Sequence, residues 1–486
     1  MADMEQSGQS QAESIETSGA SADLKQENRD FRRQVLSIAV PASLQTVLQV
    51  AVLSITDTLM VGQLGSVSVA AAGLASKVVS SYTTLLAAVS TVAGIMIAQA
   101  MGGNNKQKVS RSFTLNIAFG LGLSLVFYIA SVVFPMQVAG IYTNDAGTQR
   151  AAAQYLSVIG WSYFPVAIVT LLAALFRCMD HAKTALYVSI VATVLNIVFT
   201  YLFVFGSPIT PKMGVAGAAM GTTIAETVSC LVGLVFYVVL TRRYGMRVSP
   251  DLHVHWNELK RFFAMIVPSV MGCVSWVIAD NVYAAFYGNM GTKSYAAVAL
   301  VGPVQMITVG LFTGMSVAAS VIVAKTIGQE RYDLAYRDAK RFVILSIAFA
   351  VVLGLIYVLL RAPYVTVFNV EHDVRVIAQQ LIVVWAVFLP VRILNSIVGG
   401  NILRSGGDTK TMMFVDTAST WLIGIPLAFI SVRVLGLSIV MVNVVVAFEE
   451  VVRLVISLIV LGRKRWMYAS RNASRAAEKD ASQTKD

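Results

Sequence analysis

Asp57 closes the apolar run PASLQTVLQVAVLSITDTLMVGQLG (41–65) of a 486-residue chain. A charged Asp at the centre of a membrane-spanning helix costs about 2.5–3.5 kcal/mol, so such a carboxylate faces protein or a watery cavity, where it binds an ion or carries a proton. Other charges sit in similar runs. Glu226 lies mid-run with no local cation, which suits either a proton path or a buried hydrogen-bonding role. Glu449 and Arg453 are four apart and can pair on one helix face. Asp416 stands near Arg404 and Lys410, and Arg392 lies beside Pro390, where it could neutralise an acid across the fold. Trp276, Asp280 and Tyr283 share a helix face, an arrangement of one carboxylate and two rings suited to an organic cation. Gln45, Gln49, Tyr163, Gln305, Met306 and Met315 add amide, aromatic and thioether groups for a substrate wall. Catalysis finds no support: there is no Walker loop, paired-His motif or nucleophile signature, and His181, His253, His255 and His372 all fall in predicted loops. Cys178, Cys230 and Cys273 form neither a disulfide nor a metal pattern, so we expect no enzyme, no catalytic residue, no metal and no cofactor.

The elements that hold these groups are membrane helices. A hydrophobic content of 56%, a charged content of 13% and a mean hydropathy of +0.71 exclude a soluble globular chain. Residues 1–34 form a polar tail, read as disordered. Six apolar runs follow in 35–241, a basic linker containing Ser249-Pro250-Asp251 occupies 242–261, six more runs fill 262–462, and a basic, then polar tail closes at 463–486. The spacing therefore predicts an all-α polytopic protein of twelve transmembrane helices.

The halves repeat. VGQLGSVSVAAAGL (61–74) aligns with YGNMGTKSYAAVAL (287–300) at an offset of 226, and Arg177, Lys183 and Thr184 align with Arg404, Lys410 and Thr411 at 227. An even number of helices per repeat makes two six-helix lobes related by a pseudo-twofold axis along the membrane normal. The tails and the loops after every second helix carry 28 of the 37 Lys and Arg, which places both termini in the cytoplasm of a multi-pass cell-membrane protein. The net charge of +11 is thereby topological, with no nucleic-acid signal.

The Pro41…Asp57…Gly62…Gly65 pattern, the turns LFRCMDHAKT (175–184) and ILRSGGDTKT (402–411), Leu195-Asn196 and GVAGAAMGTT (214–223) together resemble the multidrug and toxic compound extrusion (MATE) transporters, over about 35–462. The resemblance implies two lobes forming a V, working as a monomer in the lipid bilayer, and export of organic cations or drugs in exchange for protons or sodium. Asp57, Asn196 and Thr222 match polar positions around the coupling-ion site of one branch, which has a second acid where this chain has Thr200. Another branch uses an acid in helix 7, a position held here by Trp276, with Asp280 one turn on. The alternative is a flippase of lipids or lipid-linked oligosaccharides in the same superfamily, which would want a more cationic cavity.

Overall fold

The computed structural model describes residues 26–49, 59–206, 210–243, 256–368 and 370–469. Among them every regular element is helical and none is a strand. The first span is helical over 26–49 and again over 59–62 (α1). It is followed by α2 (Ser66–Gly102), α3 (Lys106–Val133), α4 (Ala146–Cys178), α5 (Ala182–Phe205) and α6 (Val215–Arg243). The second half contains α7 (Trp256–Gly288), α8 (Thr292–Gly328), α9 (Tyr332–Thr366), α10 (His372–Ser405), α11 (Thr409–Val434) and α12 (Ile439–Gly462). Helices α2 to α11 are long and apolar enough to cross a membrane. Helix α12 has the length, at 24 residues, and is strongly apolar, but it carries three charged residues, Glu449, Glu450 and Arg453; their ion pairs, described below, make that composition tolerable.

Turn chemistry sets several boundaries. The side chains of Asn105, Asp145 and Ser438 accept hydrogen bonds from the backbone N–H groups of Lys108, Thr148 and Met441 and so cap α3, α4 and α12. Gly65 and Gly291 precede α2 and α8 with φ of 96° and 98°, a conformation that glycine alone reaches without strain. These two glycines are repeat partners, and the left-handed residues Asn104 and Glu330 stand at the same offset, so the duplication read in sequence is also a duplication of backbone geometry.

The structure corrects the expected ends. The tail assigned to 1–34 is helical from 26, because Glu27 pairs with Arg337 and Arg341 and Phe31 packs on Phe342 at 5.2 Å between ring centroids. Residues 1–25 lie outside the described residues. The linker is shorter than 242–261, since α6 runs to Arg243 and α7 begins at Trp256; 244–255 lies outside the description. The closing tail begins by burying Trp466 against Gly406, while 470–486 lies outside.

Packing between halves runs through a few helices. Helix α2 packs on α7 and α8. Helix α1 joins them where the Ser43 hydroxyl donates to the Leu311 carbonyl at 2.6 Å and Val47 lies against Gly310. The largest cluster of buried side chains draws on the later parts of α2 and α8, together with α4 and α10. At its edge the halves meet reciprocally: a Cβ on Gly102 would fall on the Lys325 carbonyl, and one on Gly328 would fall on the Gln99 carbonyl. Lys325 also donates across the halves to Asp180 at 2.7 Å. Replacing both glycines with alanine should therefore force these ends apart. Spin-label distances between the ends of α2 and α8 should show the close-packed state losing about tenfold in population; an unchanged distribution would contradict this packing.

Candidate functional site

Two polar clusters lie inside the helix bundle, one per lobe. In the amino-terminal lobe α5 and α6 approach closely, since a Cβ on Gly221 would stand 2.7 Å from the Thr200 hydroxyl oxygen. This contact brings Asn196 to Thr222, and the Asn196 amide donates to the Thr222 hydroxyl at 2.9 Å. The Asn196 carbonyl oxygen and the Thr200 hydroxyl are buried without a hydrogen-bond partner among the described residues. Leaving buried acceptors unmet costs about 1–3 kcal/mol each, so oxygens in this state are poised for a ligand. Glu226 stands one turn beyond Thr222 on α6, with no ion pair among the described residues. In the same lobe Tyr82 donates to the Tyr163 carbonyl at 2.6 Å and lies 2.9 Å from the Ser124 hydroxyl. Asp57 lies outside the described residues.

The carboxyl-terminal lobe is more heavily charged. Glu449, 5% exposed, accepts from Tyr283 and Thr420 at 2.7 Å each and pairs with Arg453. Arg453 also reaches Glu450 at 3.6 Å and Asp416 at 3.9 Å, and Arg404 holds Asp416 at 2.8 Å. Two arginines and three acids thus form one network. Helix geometry makes room for it: α10 and α11 contain π-helical stretches at Asn395–Ile402 and Ser419–Gly424, the kind of local irregularity that re-aims side chains at functional sites. Gly424 closes the second stretch, and a Cβ there would collide with the Glu449 carboxylate and the Tyr283 hydroxyl.

Beside this network lies a cavity of about 430 Å³ lined from α7, α8, α10, α11 and α12. Trp276 and Arg392 both line it. Among the described residues Arg392 meets no acid across the fold, the role its position suggests. Among the described residues its guanidinium stacks instead on Trp385, 4.1 Å from the ring centroid.

The expected substrate wall divides. Trp276, Met306, Asp280 and Gln49 are exposed and Gln305 is half-buried, as a cleft or surface requires. Gln45 is buried and accepts from Arg177 at 3.3 Å, Tyr163 is 1% exposed, and Met315 belongs to the core. Tyr283 shares the Trp276 and Asp280 stripe, but its hydroxyl is committed to Glu449. These side chains serve packing because neighbouring helices supply partners that spacing along one helix does not reveal. The Glu449–Arg453 pair and the Arg404–Asp416 pair are as expected. Tyr82, Ser124, Trp385, Asn395, Glu450 and Gly424 were missed. Only Glu450, adjacent to Glu449, and Asn395, three residues beyond Arg392, carried a signal in position.

Comparison with known proteins gives this geometry its context. The MatE family profile matches residues 41–202 and 268–430. The chain is 25% identical over 381 residues to an uncharacterized transporter, YisQ, of Bacillus subtilis, covering 77% of this chain and 82% of that protein. It is 25% identical over 410 residues to the probable multidrug resistance protein NorM of Thermotoga maritima, covering 84% and 87%. A crystal structure of MATE in the bent conformation superposes with a TM-score of 0.81 at 17% identity, covering 92% of this chain and 97% of that one.

Proposed function

Because the chain belongs to the MatE family, we propose that it exports drugs and other organic cations across the cell membrane, in exchange for protons or sodium, by alternating access. The observation that carries the coupling is the set of unmet oxygens on Asn196 and Thr200, with Glu226 one turn beyond Thr222 on α6, in the half whose first apolar run carries Asp57. Carboxylate, amide and hydroxyl oxygens are hard ligands for sodium, and a carboxylate can carry a proton. Both termini are assigned to the cytoplasm, where the basic residues concentrate. On that assignment the reciprocal glycine contact closes the cytoplasmic side and leaves the cleft to open outward. Asp280, exposed on α7, supplies negative charge for a cationic substrate, with the Trp276 ring one turn away.

The test is flux in proteoliposomes with imposed proton or sodium gradients and a set of cationic dyes. Efflux that responds to neither gradient would refute the coupling. In the same system Asp280→Asn should weaken binding of a monovalent cationic dye roughly five- to tenfold while sparing the gradient dependence. Equilibrium dialysis measures the first effect and flux the second.

A further inference from the structure

Arg392 lies near the middle of α10, a span of 34 residues, and among the described residues it alone of the cavity's arginines has no carboxylate partner. Arg404 and Arg453 are consumed by Asp416, Glu449 and Glu450. An intramembrane guanidinium without an acid is expensive and marks a functional position. Its Nε is buried without a partner among the described residues, and its face is covered by the Trp385 ring, which leaves the N–H edge of the fork as its means of recognition. Trp385 is itself held, its indole N–H donating to Thr308 at 3.4 Å, and Thr308 lies 2.8 Å from the Tyr357 hydroxyl. The guanidinium therefore rests on an anchored ring inside a cavity of about 430 Å³, within the range that encloses small organic molecules. Trp276 offers a second aromatic surface in the same cavity.

We propose that this cavity is an anion subsite, in which Arg392 receives the carboxylate or phosphate of an aromatic organic substrate by a forked, charge-assisted hydrogen bond. The exported class then extends from cations to organic anions and zwitterions. The inference rests on the reading of the chain as an exporter, but it concerns binding and is tested without a gradient.

The experiment is equilibrium dialysis of the full-length protein in lipid nanodiscs against 2-naphthoate, its methyl ester, 2-naphthyl phosphate and a naphthyl trimethylammonium cation. The wild-type protein should bind naphthoate at least about tenfold more tightly than the ester, with the phosphate grouped with the acid. Arg392→Gln should remove that preference and leave the cation's affinity within about twofold, while Arg392→Lys, a charge without the fork, should fall between. The acid-to-ester ratio of the wild-type protein decides the matter even where Arg392→Gln fails to assemble. Equal binding of acid and ester, or full naphthoate binding by a folded Arg392→Gln protein, would overturn the subsite. Nanodiscs with and without phosphatidylglycerol separate a soluble anion from a lipid headgroup: naphthoate must bind in both, and its displacement by the anionic lipid would overturn the assignment to a soluble substrate. Intact binding with absent efflux counts against the exporter, and absent binding with intact efflux counts against the subsite.

Discussion

Proteoliposomes carrying the Asp57→Asn protein should show gradient-driven efflux no greater than the leak of empty vesicles, with membrane insertion unchanged. Asparagine matches aspartate in shape, so packing survives, but the amide carries no titratable proton and is a far weaker ligand for sodium. The effect should be large because this lobe has few substitutes. Position 200, where a related branch has an acid, holds a threonine, and Asn196 and Thr222 already bond each other. Glu226 is the single acid on α6, a turn beyond Thr222. Glu226→Gln should accordingly reduce coupling rather than erase it, and Thr200→Asp should not harm coupling. Full coupled transport by the Asp57→Asn protein would move the role to Glu226 or Asp280.

The second large effect is on stability. Arg453→Leu should destabilise the carboxyl-terminal lobe by about 3–5 kcal/mol, the usual result of removing one partner from a buried ion pair and leaving the other charge uncompensated. Glu449 is 5% exposed, and its remaining partners, the Tyr283 and Thr420 hydroxyls, do not neutralise it. Asp416 retains Arg404, so the loss concentrates on Glu449 and Glu450. Thermal unfolding of the detergent-solubilised protein should show a lower midpoint, and Glu449→Gln added to Arg453→Leu should recover part of it. A midpoint equal to wild type would mean that Glu449 is not held as a charge in this lobe.

Much of the architecture was legible because membranes leave few solutions: long apolar runs must be helices, and a repeat at constant offset must be two similar lobes. Pairs on one helix or one turn apart in sequence, such as Glu449 with Arg453, followed from spacing. What spacing cannot supply is the neighbouring helix. Tyr283 was read with Trp276 and Asp280, yet Glu449, 166 residues away, takes its hydroxyl. Gln45 was read as cleft-facing, and Arg177 of α4 takes it inward. The π-helical stretches at Asn395–Ile402 and Ser419–Gly424 were equally silent, since no residue type announces an extra residue in a turn.

The glycine crossing of α2 and α8 sets a mechanical advantage. Each helix has 37 residues, about 55 Å at ~1.5 Å per residue, and the contact lies at one end of both. A rocking motion about that point uses nearly the whole helix as a lever arm, so a rotation of about 10° would carry the far end through roughly 10 Å. Two facing backbones can also part and close again without repacking side chains between them. On the proposed exporter reading, small angular changes at this crossing while it is closed would become an opening wide enough for a drug-sized molecule at the far end, and bulk added at the crossing would be multiplied at the mouth.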